Sequence, residues 1–261
     1  MNLSSAELLD LENKLNSVIT FAGEYIKDSW NKISDVVYKD ARDVVTNVDI
    51  STEELLRKHL SNLLPEAGFI VEEGITQKKA EYNWAIDPID GTKNFANHLP
   101  LFVTQVALMK GDNPVLGIIY NPLSNQLFSA SLGNGTRLNG KNVMYTKRNN
   151  ISSSIIDIDF GGSDDEIDHK LKITYSLAKK CYRIRIYGGI VACYLITGAI
   201  DVYIILNKKN KLVDLAPNMI ILKEAGVMVD FVDVPHYKKV LVCAGQTLFE
   251  EIKSTLLSRG K

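Results

Sequence analysis

Between Asn83 and Phe95 the chain reads NWAIDPIDGTKNF, an apolar run that ends in two aspartates, Asp87 and Asp90, followed at once by Gly91 and Thr92. A carboxylate is expensive to desolvate unless something pairs with it, so two of them at the exit of a buried strand need a partner. Pro88 fixes its own φ and pushes Asp87 out of the helical region, which holds both acids on a stiff, extended corner. Gly91 lets backbone approach a ligand closely. Thr92 brings a hydroxyl to the start of a short turn or helix through Phe95, where free N–H groups suit an anion. Carboxylates beside an anion repel it unless a cation stands between them. Hard divalent cations take oxygen ligands, and magnesium is typically held by few carboxylates together with phosphate oxygens and water. The stretch reads as carboxylate, metal ion and phosphate, in that order.

Three further acids fall at the ends of expected elements: Asp49 near a helix start, Glu72 at a strand exit and Asp214 before a helix. Taken singly, each also has a plain structural reading. Asp49 and Asp214 serve as helix caps, Glu72 as a surface acid, and Asp90-Gly91 as an ordinary turn. Other chemistries find less support. His59, His98, His169 and His236 show no ligand spacing, and neither a dinucleotide fingerprint nor a P-loop is present. Cys193 lies inside an apolar segment and reads as core rather than nucleophile.

The run W-A-I-D-P-I-D-G-T-K-N-F resembles the first signature of the inositol monophosphatase family, the magnesium-dependent, lithium-sensitive phosphatases. Val71-Glu72-Glu73 stands where that family has a G-E-E-like element, and Val45-Thr46-Asn47-Val48-Asp49 where it has V-T-x-x-D. Its later W-D-x-A-A-G and E-A-G-G elements are represented by V-D-L-A-P-N and K-E-A-G-V. The resemblance runs in element order from about residue 8 to residue 256. It implies an α+β fold, a layered α-β-α-β-α sandwich formed by a single domain over residues 1–261. It also implies a phosphomonoesterase acting on a small sugar or polyol monophosphate such as myo-inositol monophosphate. Two or three Mg²⁺ ions per site follow, with Mn²⁺ as a substitute. The first ion would be held by Glu72, Asp87 and the backbone carbonyl of Ile89. The second would be shared by Asp87, Asp90 and Asp214, with a third bound more weakly through Glu72. Thr92, paired with Asp49, would position or deprotonate the attacking water, and the phosphate would rest against Gly91, Thr92 and the following amides beside Asp90. Members are commonly homodimers, which makes a homodimer the expectation here.

The chain departs from this pattern in two places. Val213 replaces the family tryptophan and Pro217-Asn218 its Ala-Gly; with Asp214 as an N-cap, Pro217 would fall in the first turn, where no donor is needed from it. On the substrate side, Arg185-Ile186-Tyr187-Gly188-Gly189 lacks the hydroxyl of the family's R-x-x-G-S/T element. Asn207 stands where inositol-preferring members carry an acid, which removes a strong acceptor for sugar hydroxyls. Gly188 and Asn207 remain the residues expected to line the substrate. The neighbouring Lys208, Lys209 and Lys211 read either as a solvated loop or as a rim for a second phosphate, as on a sugar bisphosphate or a phosphorylated nucleotide. The rival reading is a binding or regulatory protein that keeps the fold with weakened catalysis.

These residues need elements to position them. Leu8, Leu11, Leu15, Val18, Ile19, Ala22, Tyr25 and Ile26 recur at three- and four-residue steps, which predicts a helix over 5–29. Ser51-Thr52-Glu53-Glu54 has the capping-box form and predicts a helix to Leu63, with helical pattern reaching back to Asp49. Strands are expected at 68–71 and 82–86. Three more are expected within 102–131, followed by hairpin dipeptides Asn134-Gly135 and Asn139-Gly140. Beyond a subdivision near residue 150, strands are expected over SSIIDIDF, RIRIY, 201–206, VMVDF and VLVCA. Helices are expected over 164–180, from about 189 to Gly198, over Leu215–Ala225 and over 246–258.

At 261 residues with 46% hydrophobic and 23% charged side chains, the chain can bury a substantial core. A formal charge of −1 provides no global field for nucleic acid or anionic lipid. Three cysteines without a C-x-x-C pair suit reduced, buried thiols and a cytoplasmic setting. The acidic N-terminus does not read as a signal peptide, and no window is apolar enough for a membrane span.

Overall fold

The computed structural model describes residues 2–30, 32, 36–38, 44–71, 80–146, 148–161, 166–187, 192–206, 212–234 and 238–257. The chain divides into two compact units, Met1–Val143 with Lys211–Glu224, and Met144–Asn210 with Ala225–Lys261.

The first unit opens with α1 (Ser5–Trp30), followed by the antiparallel pair β1 (Val36–Tyr38) and β2 (Val44–Thr46) and by α2 (Asn47–Leu63). Its main sheet has seven strands in sequence order: β3 (Gly68–Val71), β4 (Tyr82–Asp90), β5 (Val103–Lys110), β6 (Asn113–Asn121), β7 (Gln126–Ser131), β8 (Thr136–Leu138) and β9 (Lys141–Val143). A short helix, α3 (Thr92–Ala96), links β4 to β5. Only β3 and β4 pair in parallel; the rest is an antiparallel meander.

Period-2 alternation divides the strands between two buried faces. Trp84, Ile86, Val106, Leu108, Leu116 and Ile118 pack under Leu15 and Ile19 of α1 and Leu56 and Leu60 of α2. The opposite face carries Ala85, Ala107 and Met109, against which Val213 and Ala216 of the returning helix (Leu212–Glu224) pack. Small residues bring that helix close. A Cβ added at Gly117 would lie 2.5 Å from Ile220 Cγ2 and 2.9 Å from the Pro217 carbonyl. On the first face, Glu12 of α1 is fully buried yet satisfied by the Ser129 and Ser131 hydroxyls (2.7 and 2.6 Å) and by Arg137 (3.2 Å).

The second unit contains β10 (Ile155–Asp159), α4 (Ile167–Ala178), β11 (Arg183–Arg185), α5 (Tyr194–Thr197) and β12 (Val202–Ile205). After the returning helix, now α6, come β13 (Met228–Val234), β14 (Lys238–Ala244) and α7 (Gln246–Leu257). Its sheet runs β11-β10-β12-β14-β13, with β10 parallel to both neighbours and the other pairs antiparallel. Ile156, Ile158, Val202, Ile204 and Val242 meet Ile173 and Leu177 of α4 and Leu248 and Ile252 of α7.

Several boundaries differ from expectation. α2 starts at Asn47, not Ser51, because Thr46 rather than Ser51 caps it. β4 continues past residue 86 to Asp90 because β5 goes on pairing with it. RIRIY is strand only at Arg183–Arg185, α4 is shorter than 164–180, and the described part of the helix expected from about 189 is Tyr194–Thr197. Cys193 and Cys243 are buried but Cys181 is only half-buried; among the described residues none of the three is in a disulfide. Among the described residues no helix is long and apolar enough to cross a membrane.

Candidate metal and phosphate site

Asp87 and Asp90 are three residues apart on one strand, a spacing that in a regular strand sends side chains to opposite faces. Pairing with β5 removes that conflict. Asp87 lies opposite Gln105 and Asp90 opposite Val103, so β4 spends three residues where β5 spends two. The extra residue is a β-bulge, and Pro88, which has no N–H to offer a ladder, sits within it. The bulge returns both carboxylates to one side. Gln105 Nε2 donates to Asp87 Oδ2 at 3.1 Å and to Asp90 Oδ2 at 3.2 Å, so two acids converge on one amide nitrogen. Asp87 is buried (2% exposed) and Gln105 completely so.

The corner is anchored below. Ile89, Phe95 and Phe102 form a small core with Ile26 of α1, the two phenylalanine rings meeting edge to face at 5.0 Å. Gly91 turns the chain with φ +94°; a Cβ there would lie 2.7 Å from the Leu101 carbonyl and 3.3 Å from Phe102 Cα. Asn94 Nδ2 donates to that same carbonyl at 2.8 Å, which fixes it in place.

Asp49 combines its two readings, one on each oxygen. Oδ2 accepts the Thr46 N–H (2.8 Å) and the Thr46 hydroxyl, while the Asp49 N–H donates to Thr46 Oγ1 (3.3 Å), a reciprocal cap on α2. Oδ1 faces the Thr92 hydroxyl at 3.0 Å. Thr92 Oγ1 also lies 2.8 Å from the Ile89 carbonyl. The hydroxyl has one proton for these two acceptors and keeps lone pairs to accept a hydrogen bond from a third group.

Asp214 lies in the first turn of α6, not before it: the helix opens at Leu212, where Val213 is drawn onto Ala85 and Ala107. Pro217 is therefore inside the helix rather than in its first turn. Its ring removes one intrahelical bond, and in the loosened turn Asn218 Nδ2 donates to the Asp214 carbonyl at 3.0 Å. Val213, in the place of an expected tryptophan, still seats the turn on the face of the sheet that carries Asp87 and Gln105.

Glu72, Gly188 and Asn207 lie outside the described residues, as does the lysine run beside Asn207. Among the described residues, no three Asp, Glu, His or Cys side chains form a group compact enough to hold an ion. The donor set on the first unit nevertheless fits a hard divalent cation: carboxylate oxygens of Asp87 and Asp90 with the Ile89 carbonyl between them in sequence. Sequence reasoning missed Gln105. The signal was a glutamine within FVTQVALM, a run otherwise apolar except for Thr104. Cys193 stays inert, because burial pushes its thiol up, with Cys243 adding in the same direction.

A model of the inositol monophosphatase family matches residues 10–256. Among curated relatives, "Inositol monophosphatase 1" of Solanum lycopersicum is 28% identical over 78% of each chain. "Nus factor SuhB" of Xylella fastidiosa is 30% identical over 78% of this chain and 76% of its own. "Fructose-1,6-bisphosphatase/inositol-1-monophosphatase" of Thermotoga maritima is 29% identical over 79% of each. Among solved structures, extragenic suppressor protein suhB from Bartonella henselae superposes with a TM-score of 0.86 at 23% identity, covering 95% of this chain and 98% of that one.

Proposed function

The chain belongs to the inositol monophosphatase family, and from that premise we propose that it is a magnesium-dependent phosphomonoesterase acting on a small sugar or polyol monophosphate. The observation that carries this reading is the bulge at Pro88, which turns Asp87 and Asp90 onto one side of the sheet. In the proposed site Glu72, Asp87 and the Ile89 carbonyl hold one ion, while Asp87, Asp90 and Asp214 hold a second, with a weaker third through Glu72; Mn²⁺ substitutes. Bound there, the ions supply neutralising charge for the phosphoryl oxygens and lower the pKa of water.

The chain's own residues do the rest. Thr92, donating to Asp49, turns its lone pairs outward to accept a hydrogen bond from the attacking water and so aims that water's oxygen. Asp49 is held for this task by Thr46, which occupies its other oxygen. Gly91 and the amides after it receive the phosphate, and Gly188 and Asn207 line the rest of the substrate. The protein is proposed to be a cytoplasmic homodimer. Three cysteines outside any disulfide support the compartment, and the exposed stripe of Ile167, Leu171 and Tyr175 along α4 supports self-association.

Assay of the purified protein with Mg²⁺ on a panel of sugar and polyol phosphomonoesters, extended to bisphosphates and phosphorylated nucleotides, tests the reading. Turnover of a monophosphate, abolished in a folded Asp90→Asn variant, is the expected result. Preference for a bisphosphate or phosphorylated nucleotide would move the substrate class to that of the bifunctional Thermotoga name. A folded protein that turns over nothing on the panel would favour a regulatory role, the reading to which the name "Nus factor" on a relative lends weight.

A further inference from the structure

We propose that Gln105 is a positioning residue that sets the cation affinity of this site, an inference that rests on the metal-dependent reading above. Gln105 pairs across the ladder with Asp87 on one side and with Ile119 on the other, and it is completely buried. Carboxylates only accept hydrogen bonds, so the amide end that faces them is the NH₂. That group carries two protons and meets two acceptors, Asp87 Oδ2 at 3.1 Å and Asp90 Oδ2 at 3.2 Å. One proton goes to each carboxylate.

The consequence is electrostatic. Two carboxylates brought to one point repel, and Asp90, at the end of β4, is only partly buried. A neutral donor shared between them offsets the repulsion without adding a positive charge that would compete with an ion. The bond to each acid is made at a single oxygen, Oδ2. Magnesium accepts little deviation from octahedral geometry, so ligands already converged cost less to assemble than ligands that must be gathered. Outer-layer donors of this kind typically govern 10–100-fold of metal affinity.

A second observation comes from the other end of the same amide. Gln105 Oε1 is buried and has no hydrogen-bond partner among the described residues. A buried acceptor left unsatisfied is costly, and magnesium keeps several of its waters when bound. We assign Oε1 as the acceptor for one such water, so that the side chain touches the ion's surroundings at both ends: carboxylates through Nε2, hydration water through Oε1.

The test compares Mn²⁺ binding, by titration calorimetry and by the Mn²⁺ electron spin resonance signal without substrate, in wild type and four variants. Gln105→Met keeps length and loses both hydrogen-bonding ends. Gln105→Asn keeps the amide but is one carbon too short to reach both acids. Thr104→Val alters the adjacent buried side chain on the opposite face, and Asp90→Asn removes a ligand. Both Gln105 variants are expected to bind about 10–100-fold more weakly. Thr104→Val should stay within about 3-fold, and the turnover number of Gln105→Met should recover to within a few-fold at saturating Mg²⁺. A Gln105→Met protein that binds within about 3-fold of wild type, while Asp90→Asn has lost binding, overturns the role of Gln105 and leaves the metal site standing. A wild type that binds no Mn²⁺, or an Asp90→Asn variant that binds as well as wild type, overturns the metal site itself. Should Gln105→Met not fold, the Gln105→Asn comparison decides alone by the same criterion.

Discussion

Replacing Gly91 by alanine adds one carbon at the corner where the acid-bearing strand hands over to Thr92. Two costs follow from the geometry. At φ +94° an L-residue pays for left-handed backbone, about 1–2 kcal/mol. The new Cβ would also lie 2.7 Å from the Leu101 carbonyl, a distance real Cβ atoms essentially never show. That carbonyl is tied to Asn94 Nδ2 at 2.8 Å, so the chain must shift instead, which adds about 1–2 kcal/mol of overpacking. The sum is about 2–4 kcal/mol, or roughly 5–15 °C in Tm for a chain of this size.

Both tryptophans of the chain, Trp30 and Trp84, lie in the first unit. Trp30 packs 5.7 Å from Phe102, the residue whose Cα the new carbon would approach. Tryptophan fluorescence during urea or thermal unfolding therefore reports on this corner directly. Because the strain is released by moving the residues that follow, Thr92 is displaced from Asp49. Under the proposed mechanism, in which Thr92 aims the nucleophile, a shift of about 1 Å costs on the order of 100-fold in rate. A Gly91→Ala protein with an unfolding midpoint within about 2 °C of wild type and turnover within about 3-fold would refute the reasoning.

Two further outcomes are expected. Burial pushes the Asp157 carboxyl up to about 7; the Tyr187 N–H works against that shift, Asp159 adds to it and Arg185 opposes it. Since the folded protein binds this proton more tightly than the unfolded chain, its contribution to stability is lost as pH rises from about 4 to 7; Asp157→Asn should gain relative stability over that window, by up to about 4 kcal/mol, and urea titrations followed by circular dichroism at pH 4.5 and 8 that show no pH-dependent difference would contradict it. Arg137→Met leaves the fully buried Glu12 to two serine hydroxyls alone, so a loss of about 3 kcal/mol is expected; a change under 1 kcal/mol in the tryptophan-detected urea midpoint would show that Ser129 and Ser131 suffice.

Much of the architecture was legible in the primary structure because its cues are local. α1 announces itself by spacing, and β5 to β7 by apolar runs closed with Asn-Pro and Gly turns. Where the reading slipped, a local cue competed with a nonlocal one. Ser51 offered an adequate cap, yet Thr46 is chosen because Asp49 reciprocates it while also meeting Thr92 from a distant segment. Asp214 looked like a cap until Val213 found Ala85 and Ala107 across the sheet. Gln105 carried no motif, and its meaning depends wholly on which strand lies beside it.

By itself the order of residues determined that Asp87, Asp90, Gly91 and Thr92 follow one another at the end of an apolar run, since residue type and spacing suffice to name carboxylate, turn and hydroxyl. Only the folded sheet decided that the two neighbouring aspartates meet at one amide, Gln105 Nε2. Strand alternation alone would separate residues 87 and 90 onto opposite faces, and the extra residue that reunites them exists only in relation to β5. A bulge is a property of two paired strands, so no single stretch of chain contains it.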